Sequence, residues 1–144
     1  METSKPARVL IIDDNELTRT VLRMIIQGNG YDVVGEASLA EAGLERALQL
    51  KPDIVCLDIQ MPDRDGLEVL ASLVARLPGI GVLMVSGQNQ QGSVHAALAR
   101  GALGFIIKPF NSGTVLDALS AAQNAMQQGR TRRYDALQGK EEHD

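Results

Sequence analysis

The chain has no tryptophan, a single cysteine, and only two tyrosines and two phenylalanines among 144 residues. Aromatics at 3% are poor material for stacking bases, which counts against a single-stranded nucleic-acid surface. One thiol, Cys56, excludes an internal disulfide framework and a cysteine-built zinc site. An excess of positive charge is missing too. Fourteen Lys and Arg against eighteen Asp and Glu leave a net charge of −4, so the overall charge repels duplex DNA and anionic membranes. No apolar run is long enough to cross a bilayer. The stretch Met1-Glu2-Thr3-Ser4-Lys5-Pro6 is not followed by the apolar segment of a secretory signal. The expectation is a cytoplasmic protein with no membrane insertion and no direct nucleic-acid partner.

What is present is an ordinary globular balance, 44% hydrophobic and 22% charged, enough for one domain with its own core. Five short apolar runs recur: Val9 to Ile12, Val33-Val34, Ile54 to Leu57, Val82 to Val85, and Phe105 to Ile107. They are continuous rather than alternating, as in strands buried on both faces of a parallel sheet. Helical stripes lie between them. The first is read as Leu17, Val21, Met24 and Ile25, the second as Leu39, Ala42, Leu44, Ala47 and Leu48. Leu67, Leu70, Leu73 and Val74 form the third, Val94, Ala97 and Leu98 the fourth, and Val115, Leu116, Leu119, Ala122 and Met126 the last. Turn residues such as Gly28-Asn29-Gly30, Lys51-Pro52-Asp53 and Pro78-Gly79 separate the elements. This strand–helix alternation predicts an α/β fold, a (βα)5 doubly wound sandwich with helices on both sheet faces. From Gly129 onward polarity rises and periodicity fades, so residues 129–144 are expected to be a tail or an extension of the last helix.

Doubly wound sheets bind ligands at the carboxyl ends of their strands. At those ends stand Asp13-Asp14 after the first strand, Asp58 after the third, Ser86 after the fourth, and Lys108-Pro109 after the fifth. If the first and third strands are neighbours, three carboxylates cluster, and at neutral pH one of them must protonate or a cation must join them. Hard oxygen ligands suit Mg²⁺. A metal on carboxylates, with a lysine and a hydroxyl opposite, is a design for stabilising a phosphoryl group in transfer. Asp58, on the middle strand, is placed to be the nucleophile of an acyl-phosphate reaction.

The run Val9-Leu10-Ile11-Ile12-Asp13-Asp14, the segment from Asp58 through Met61-Pro62-Asp63-Arg64-Asp65-Gly66, Ser86-Gly87, and Phe105-Ile106-Ile107-Lys108-Pro109 together resemble the receiver domain of two-component response regulators. The type is the chemotaxis-like single-domain receiver, and the resemblance covers about residues 7–128. It implies a flavodoxin-like sheet of order 2-1-3-4-5. It also implies that Asp58 is the phosphoacceptor and that Asp13, Asp14, Asp58 and the backbone carbonyl of Gln60 hold Mg²⁺. Ser86 corresponds to the switch hydroxyl, Lys108 to the phosphate's salt-bridge partner with a cis bond to Pro109, and Phe105 to the switch aromatic, here without the commoner tyrosine hydroxyl. Gln60 and Gln88 fall where the family tunes phosphoryl lifetime, and neither is charged.

The implied function is a phosphoacceptor switch that takes a phosphoryl group from a histidine kinase or histidine phosphotransfer protein. The surface of the fourth helix, fifth strand and fifth helix would then control a downstream protein effector or support a homodimer. It is not a turnover enzyme, although it would catalyse its own phosphorylation and dephosphorylation, and no organic cofactor is expected. With no effector domain expected in the chain, it would act by binding a partner, by relaying phosphate, or as the receiver of a longer regulator. The alternative is a pseudo-receiver, an interaction module without phosphorylation, which the intact five-residue set opposes. An aspartyl phosphatase wants a second Asp where Gln60 stands, and flavin or nucleotide binding wants a glycine-rich loop where Asp13-Asp14 stand. Taken singly, each residue has a plainer reading: Asp13 and Asp14 as helix caps, Asp58 as a strand end, Lys108 as a solvated charge, Ser86 as a loop hydroxyl. Cys56 reads as a buried inert thiol and His95 as a surface or partner-contact residue. His143 and the Arg130, Arg132, Arg133 cluster read as a solvated tail.

Overall fold

The computed structural model describes residues 5–87 and 92–137, with the backbone alone for 130–137. Gln88, His143 and the side chains of Arg130, Arg132 and Arg133 lie outside the described residues. Strands β1 (Arg8–Ile12), β2 (Asp32–Ala37), β3 (Ile54–Asp58), β4 (Gly81–Gly87) and β5 (Gly104–Lys108) alternate with five helices. These are α1 (Glu16–Gln27), α2 (Ala40–Leu50), α3 (Gly66–Arg76), α4 (Gly92–Ala99) and α5 (Ser112–Leu137). The strands form one parallel sheet in the order β2-β1-β3-β4-β5, the flavodoxin-like order that the resemblance implies.

Strand alternation divides the core into two layers. Leu10, Ile12, Val55, Leu57, Val82 and Met84 point to the side covered by α2, α3 and α4. Val9, Ile11, Ile54, Cys56, Leu83 and Val85 point to the side covered by α1 and α5. Central strands buried on both faces explain why β1, β3 and β4 read as unbroken apolar runs. Two predicted ends move inward: Asp58 closes β3 rather than following it, and Ser86 lies within β4. The parallel ladder continues that far, with Asp58 opposite Val85 and Ser86 opposite Ile107.

The first helix departs from the expected stripe. Leu17 and Met24 are 71% and 67% exposed and Val21 lies at the surface, whereas Leu22 and Ile26 are buried. Apolar residues of α1 spread over a broad arc, and the sheet covers only the half centred on Leu22 and Ile26. On the other helices the stripes hold at their centres: Leu44 and Ala47, Leu70 and Leu73, Ala97, and Val115, Leu119 and Ala122 are buried. Their edges are looser, with Leu39 and Leu98 exposed. The last helix runs unbroken to Leu137.

Candidate functional site

The register of β1 on β3 pairs Ile12 with Leu57, so the next residues, Asp13 and Asp58, stand level at the carboxyl edge of adjacent strands. Both are buried, Asp13 completely. The two carboxylates are oriented by the same local device. Asp13 Oδ1 accepts a hydrogen bond from the Asn15 amide at 2.9 Å, and Asp58 Oδ1 accepts one from the Gln60 amide at 3.0 Å. Each aspartate thus bonds the backbone two residues on and starts its own loop. The capping reading of Asp13 and Asp14 fails, because Asn15 is the N-cap of α1 and accepts from the Thr18 amide at 2.8 Å.

Each remaining Oδ2 faces Lys108, whose Nζ lies 3.7 Å from Asp13 and 4.0 Å from Asp58. Lys108 shares the strand parity of Ile106 and reaches back across the sheet edge from β5. At 3.7 Å the contact with Asp13 is an ion pair beyond hydrogen-bond reach. Asp13 Oδ2 is therefore a fully buried oxygen that no hydrogen-bond donor reaches among the described residues. The exposed Asp14 completes the group: one carboxylate oxygen from each of Asp13, Asp14 and Asp58 lies within 4.8 Å of the others.

Three carboxylates against one ammonium leave an excess of negative charge in a partly dry pocket. Burial raises the Asp58 carboxyl to about 7, and the neighbouring Asp13 charge and contact with Asp14 act in the same direction. The Gln60 amide and Lys108 oppose the rise. Burial also raises Asp13, with Asn15 and Lys108 opposing it and Asp14 adding to it. An orphaned buried oxygen within a set of hard oxygen donors fits a divalent cation such as Mg²⁺.

Ser86 is 2% exposed. By alternation it shares the face of Met84, which pairs with the partly buried Phe105 across β4 and β5. The hydroxyl and the aromatic are thus on one sheet face, and the two buried aspartates and Lys108 on the other. The Lys108-Pro109 bond is cis. Cys56 is fully buried, and desolvation pushes its thiol up to about 12, in keeping with an inert core residue. His95 is exposed on α4 and belongs to no metal-sized cluster among the described residues.

Sequence reasoning missed the supports. The Arg19 guanidinium donates to the Asp13 carbonyl at 2.8 Å and pairs with Glu36 at 3.3 Å, while Arg23 also bonds Glu36. Asp63 in the β3–α3 loop accepts hydrogen bonds from the Ala40 and Glu41 amides. Asn15 was readable as an N-cap just before a helix. The contacts of Arg19 with β2 and of Asp63 with α2 join distant segments and leave no local signal. Gly66 was visible only as the end of the segment from Asp58 that carries the resemblance. A Cβ there would sit 2.5 Å from the Ile59 carbonyl oxygen and 2.7 Å from that of Asp58, so α3 begins hard against the end of β3.

A doubly wound sheet with clustered acids and a lysine at its carboxyl edge is the arrangement of a signalling receiver module. The family model of the response regulator receiver domain matches residues 9–120, and the chain belongs to that family. It is 43% identical over 115 residues to the chemotaxis protein CheY of Listeria monocytogenes, covering 80% of this chain and 97% of that one. With the chemotaxis protein CheY of Thermotoga maritima the identity is 39% over 113 residues, or 78% and 94% of the two chains. The crystal structure of the response regulator domain of Thermotoga maritima CheB superposes with a TM-score of 0.74 at 34% identity, covering 85% of this chain and 97% of that chain. Receiver domains are signalling switches of two-component systems, not metabolic enzymes. Among the described residues, no helix is long and apolar enough to cross a membrane.

Proposed function

We propose that this receiver is a cytoplasmic phosphoacceptor switch in which Asp58 takes a phosphoryl group from a histidine kinase or histidine phosphotransfer protein. The observation that carries the reading is the frustrated pocket: buried Asp58 beside Asp13, Asp14 and Lys108, with Asp13 Oδ2 lacking a hydrogen-bond donor among the described residues. Asp13, Asp14, Asp58 and the backbone carbonyl of Gln60 hold Mg²⁺, which supplies positive charge to the transferring group. A carboxylate oxygen of Asp58 attacks phosphorus, the bond to the donor nitrogen or oxygen breaks, and the donor leaves with that electron pair. The product is an aspartyl acyl phosphate, which water later cleaves. Lys108 Nζ, already poised between Asp13 and Asp58, pairs with one phosphoryl oxygen, and the Ser86 hydroxyl donates to another.

Ser86 moves toward the phosphoryl group, and Phe105, on the same sheet face, turns into the space it leaves. The signal emerges on the α4-β5-α5 surface, where Leu98, Leu103 and Ile107 are exposed to meet an effector or a second copy. Residues 7–128 constitute the switch, and 129–144 are appended to it.

The test is incubation with acetyl phosphate and Mg²⁺, read by intact mass and peptide mapping. One phosphoryl group is expected on Asp58, none on Asp58→Asn, and none without Mg²⁺. Labelling of Asp58→Asn at the wild-type rate, or labelling indifferent to Mg²⁺, refutes the reading. A chain that takes no label at all supports the pseudo-receiver alternative.

A further inference from the structure

Helix α2 begins without a cap of its own. Its N-cap residue, Leu39, offers no side-chain acceptor, so the first amides of the helix need partners from elsewhere. They find them more than twenty residues along the chain: Asp63 Oδ1 accepts from the Ala40 amide at 2.9 Å and Asp63 Oδ2 from the Glu41 amide at 3.1 Å. Arg64 adds a second tie, its guanidinium 3.2 Å from the Glu41 carboxylate. A serine or aspartate at position 39 would cap the helix as well. The remote acceptor does something more, because it joins α2 to the loop that follows Asp58.

That loop is pinned at its base. Gln60 and Asp65 form an antiparallel bridge, the Gly66 amide donates to the Ile59 carbonyl at 3.2 Å, and Asp65 caps α3 through the Leu67 amide at 2.9 Å. Within that base, Gln60 donates the amide hydrogen bond that orients the Asp58 carboxylate. Its tip, Asp63-Arg64, is fastened only to α2 among the described contacts.

We propose that Asp63 is a positioning residue that latches the β3–α3 loop onto the amino end of α2 and so holds Gln60 and the Asp58 carboxylate in place. Its consequence for metal and phosphoryl binding rests on the phosphoacceptor reading, which it deepens. The two backbone donors also hold the Asp63 carboxyl below the usual carboxylate range, so the latch is ionised at neutral pH.

A helix cap and a loop latch are separated by moving the cap. Three full-length proteins are compared: wild type, Asp63→Ala, and Asp63→Ala with Leu39→Asp. Position 39 has the extended backbone of an N-cap (φ −128°, ψ 149°) and is 46% exposed, so an acidic cap fits there. The readouts are melting temperature, amide exchange across residues 60–65 in metal-free buffer, and Mg²⁺ affinity by calorimetry. Asp63→Ala is expected to lower the melting temperature, speed exchange at Gln60 several-fold, and weaken Mg²⁺ by about tenfold. The double variant is expected to recover the melting temperature while exchange and Mg²⁺ affinity stay impaired. Recovery of all three overturns the latch, since Asp63 would then be a cap and nothing more. Unchanged exchange in Asp63→Ala overturns it too. If Asp63→Ala does not fold, Asp63→Asn, which retains one acceptor oxygen, is expected to show the same changes at smaller size. Wild-type protein that binds no Mg²⁺ counts against the phosphoacceptor reading, and the exchange data still decide the latch.

Discussion

At the amino end of the sheet, Asp53 accepts a hydrogen bond from the Arg8 amide at 2.8 Å, and the Arg8 guanidinium donates to the carbonyls of Leu50 and Lys51. At the carboxyl end, Asp13, Asp14 and Asp58 crowd together with Lys108 beside two of them, and a buried oxygen of Asp13 has no donor among the described residues. The amino end also holds two cavities. A cavity of 670 Å³ touches Lys51, Asp53, Arg76 and Met126, and one of 480 Å³ touches Lys5, Arg8 and Asp53. Matched polar groups stabilise the fold and have little left to offer a ligand, whereas unmatched charge is a standing affinity for whatever neutralises it.

The largest expected effect follows from removing the least matched group. Asp13→Ala should weaken Mg²⁺ by about a hundredfold, as loss of a buried charged ligand implies. Asp13→Asn should raise the melting temperature in metal-free buffer, because burial and Asp14 already disfavour the charged form of Asp13. The same variant should gain little when Mg²⁺ is added. A drop in metal-free stability for Asp13→Asn would mean that Lys108 neutralises the pocket adequately, and the contrast between the two ends would collapse.

Next in size is the pH dependence. Folding lifts the Asp58 carboxyl from its ordinary 3.8 to about 7, chiefly by burial, so the folded state holds a proton more tightly than the unfolded chain. The resulting stability is present in full below about pH 4 and is lost as pH rises to about 7, since the unfolded chain then releases a proton that the folded one retains. Relative to Asp58→Asn, metal-free wild type should therefore lose stability across this window, by at most about 4 kcal/mol. Mg²⁺ should reverse the trend, because it binds the ionised site and only in the folded state. Urea denaturation of both proteins at several pH values measures the difference; a flat difference from acid to neutral pH refutes the frustrated pocket.

How much of this was legible beforehand varies with the range of the interactions. The five strands follow from continuous apolar runs, and Asp13 and Asp58 from their places at strand ends, both local signals, whereas the adjacency of the two aspartates rested on the strand order that the resemblance implies. Lys108 was placed by the same logic. The first helix was misread because its apolar residues cover more of its circumference than the sheet does, and sequence alone does not say which half is buried: Leu22 and Ile26 are inside, Leu17 and Met24 outside. The supports of the pocket were silent. Arg19 with Glu36, and Asp63 with the Ala40 and Glu41 amides, are contacts between distant segments, and the charged side chains involved, taken singly, read as ordinary surface charges.

The smallest effect tests the matched end. Asp53→Ala removes the acceptor of the part-buried Arg8 amide and should cost about 1 kcal/mol of stability, the usual net value of one such bond. It should leave Mg²⁺ affinity and acetyl phosphate labelling unchanged. Asp53 directly precedes β3 and Asp58 ends it, so the five residues of the strand carry the chain about 17 Å from one to the other, roughly two screening lengths at physiological salt. Direct electrostatic influence over that distance is small. What remains is mechanical coupling through β3, whose residues Ile54 to Leu57 are completely buried and packed on both faces. Such a strand shifts as a unit or not at all. If Asp53→Ala changes the labelling rate more than twofold while the protein stays folded, β3 transmits displacement from one end of the sheet to the other, and the two ends are one coupled system.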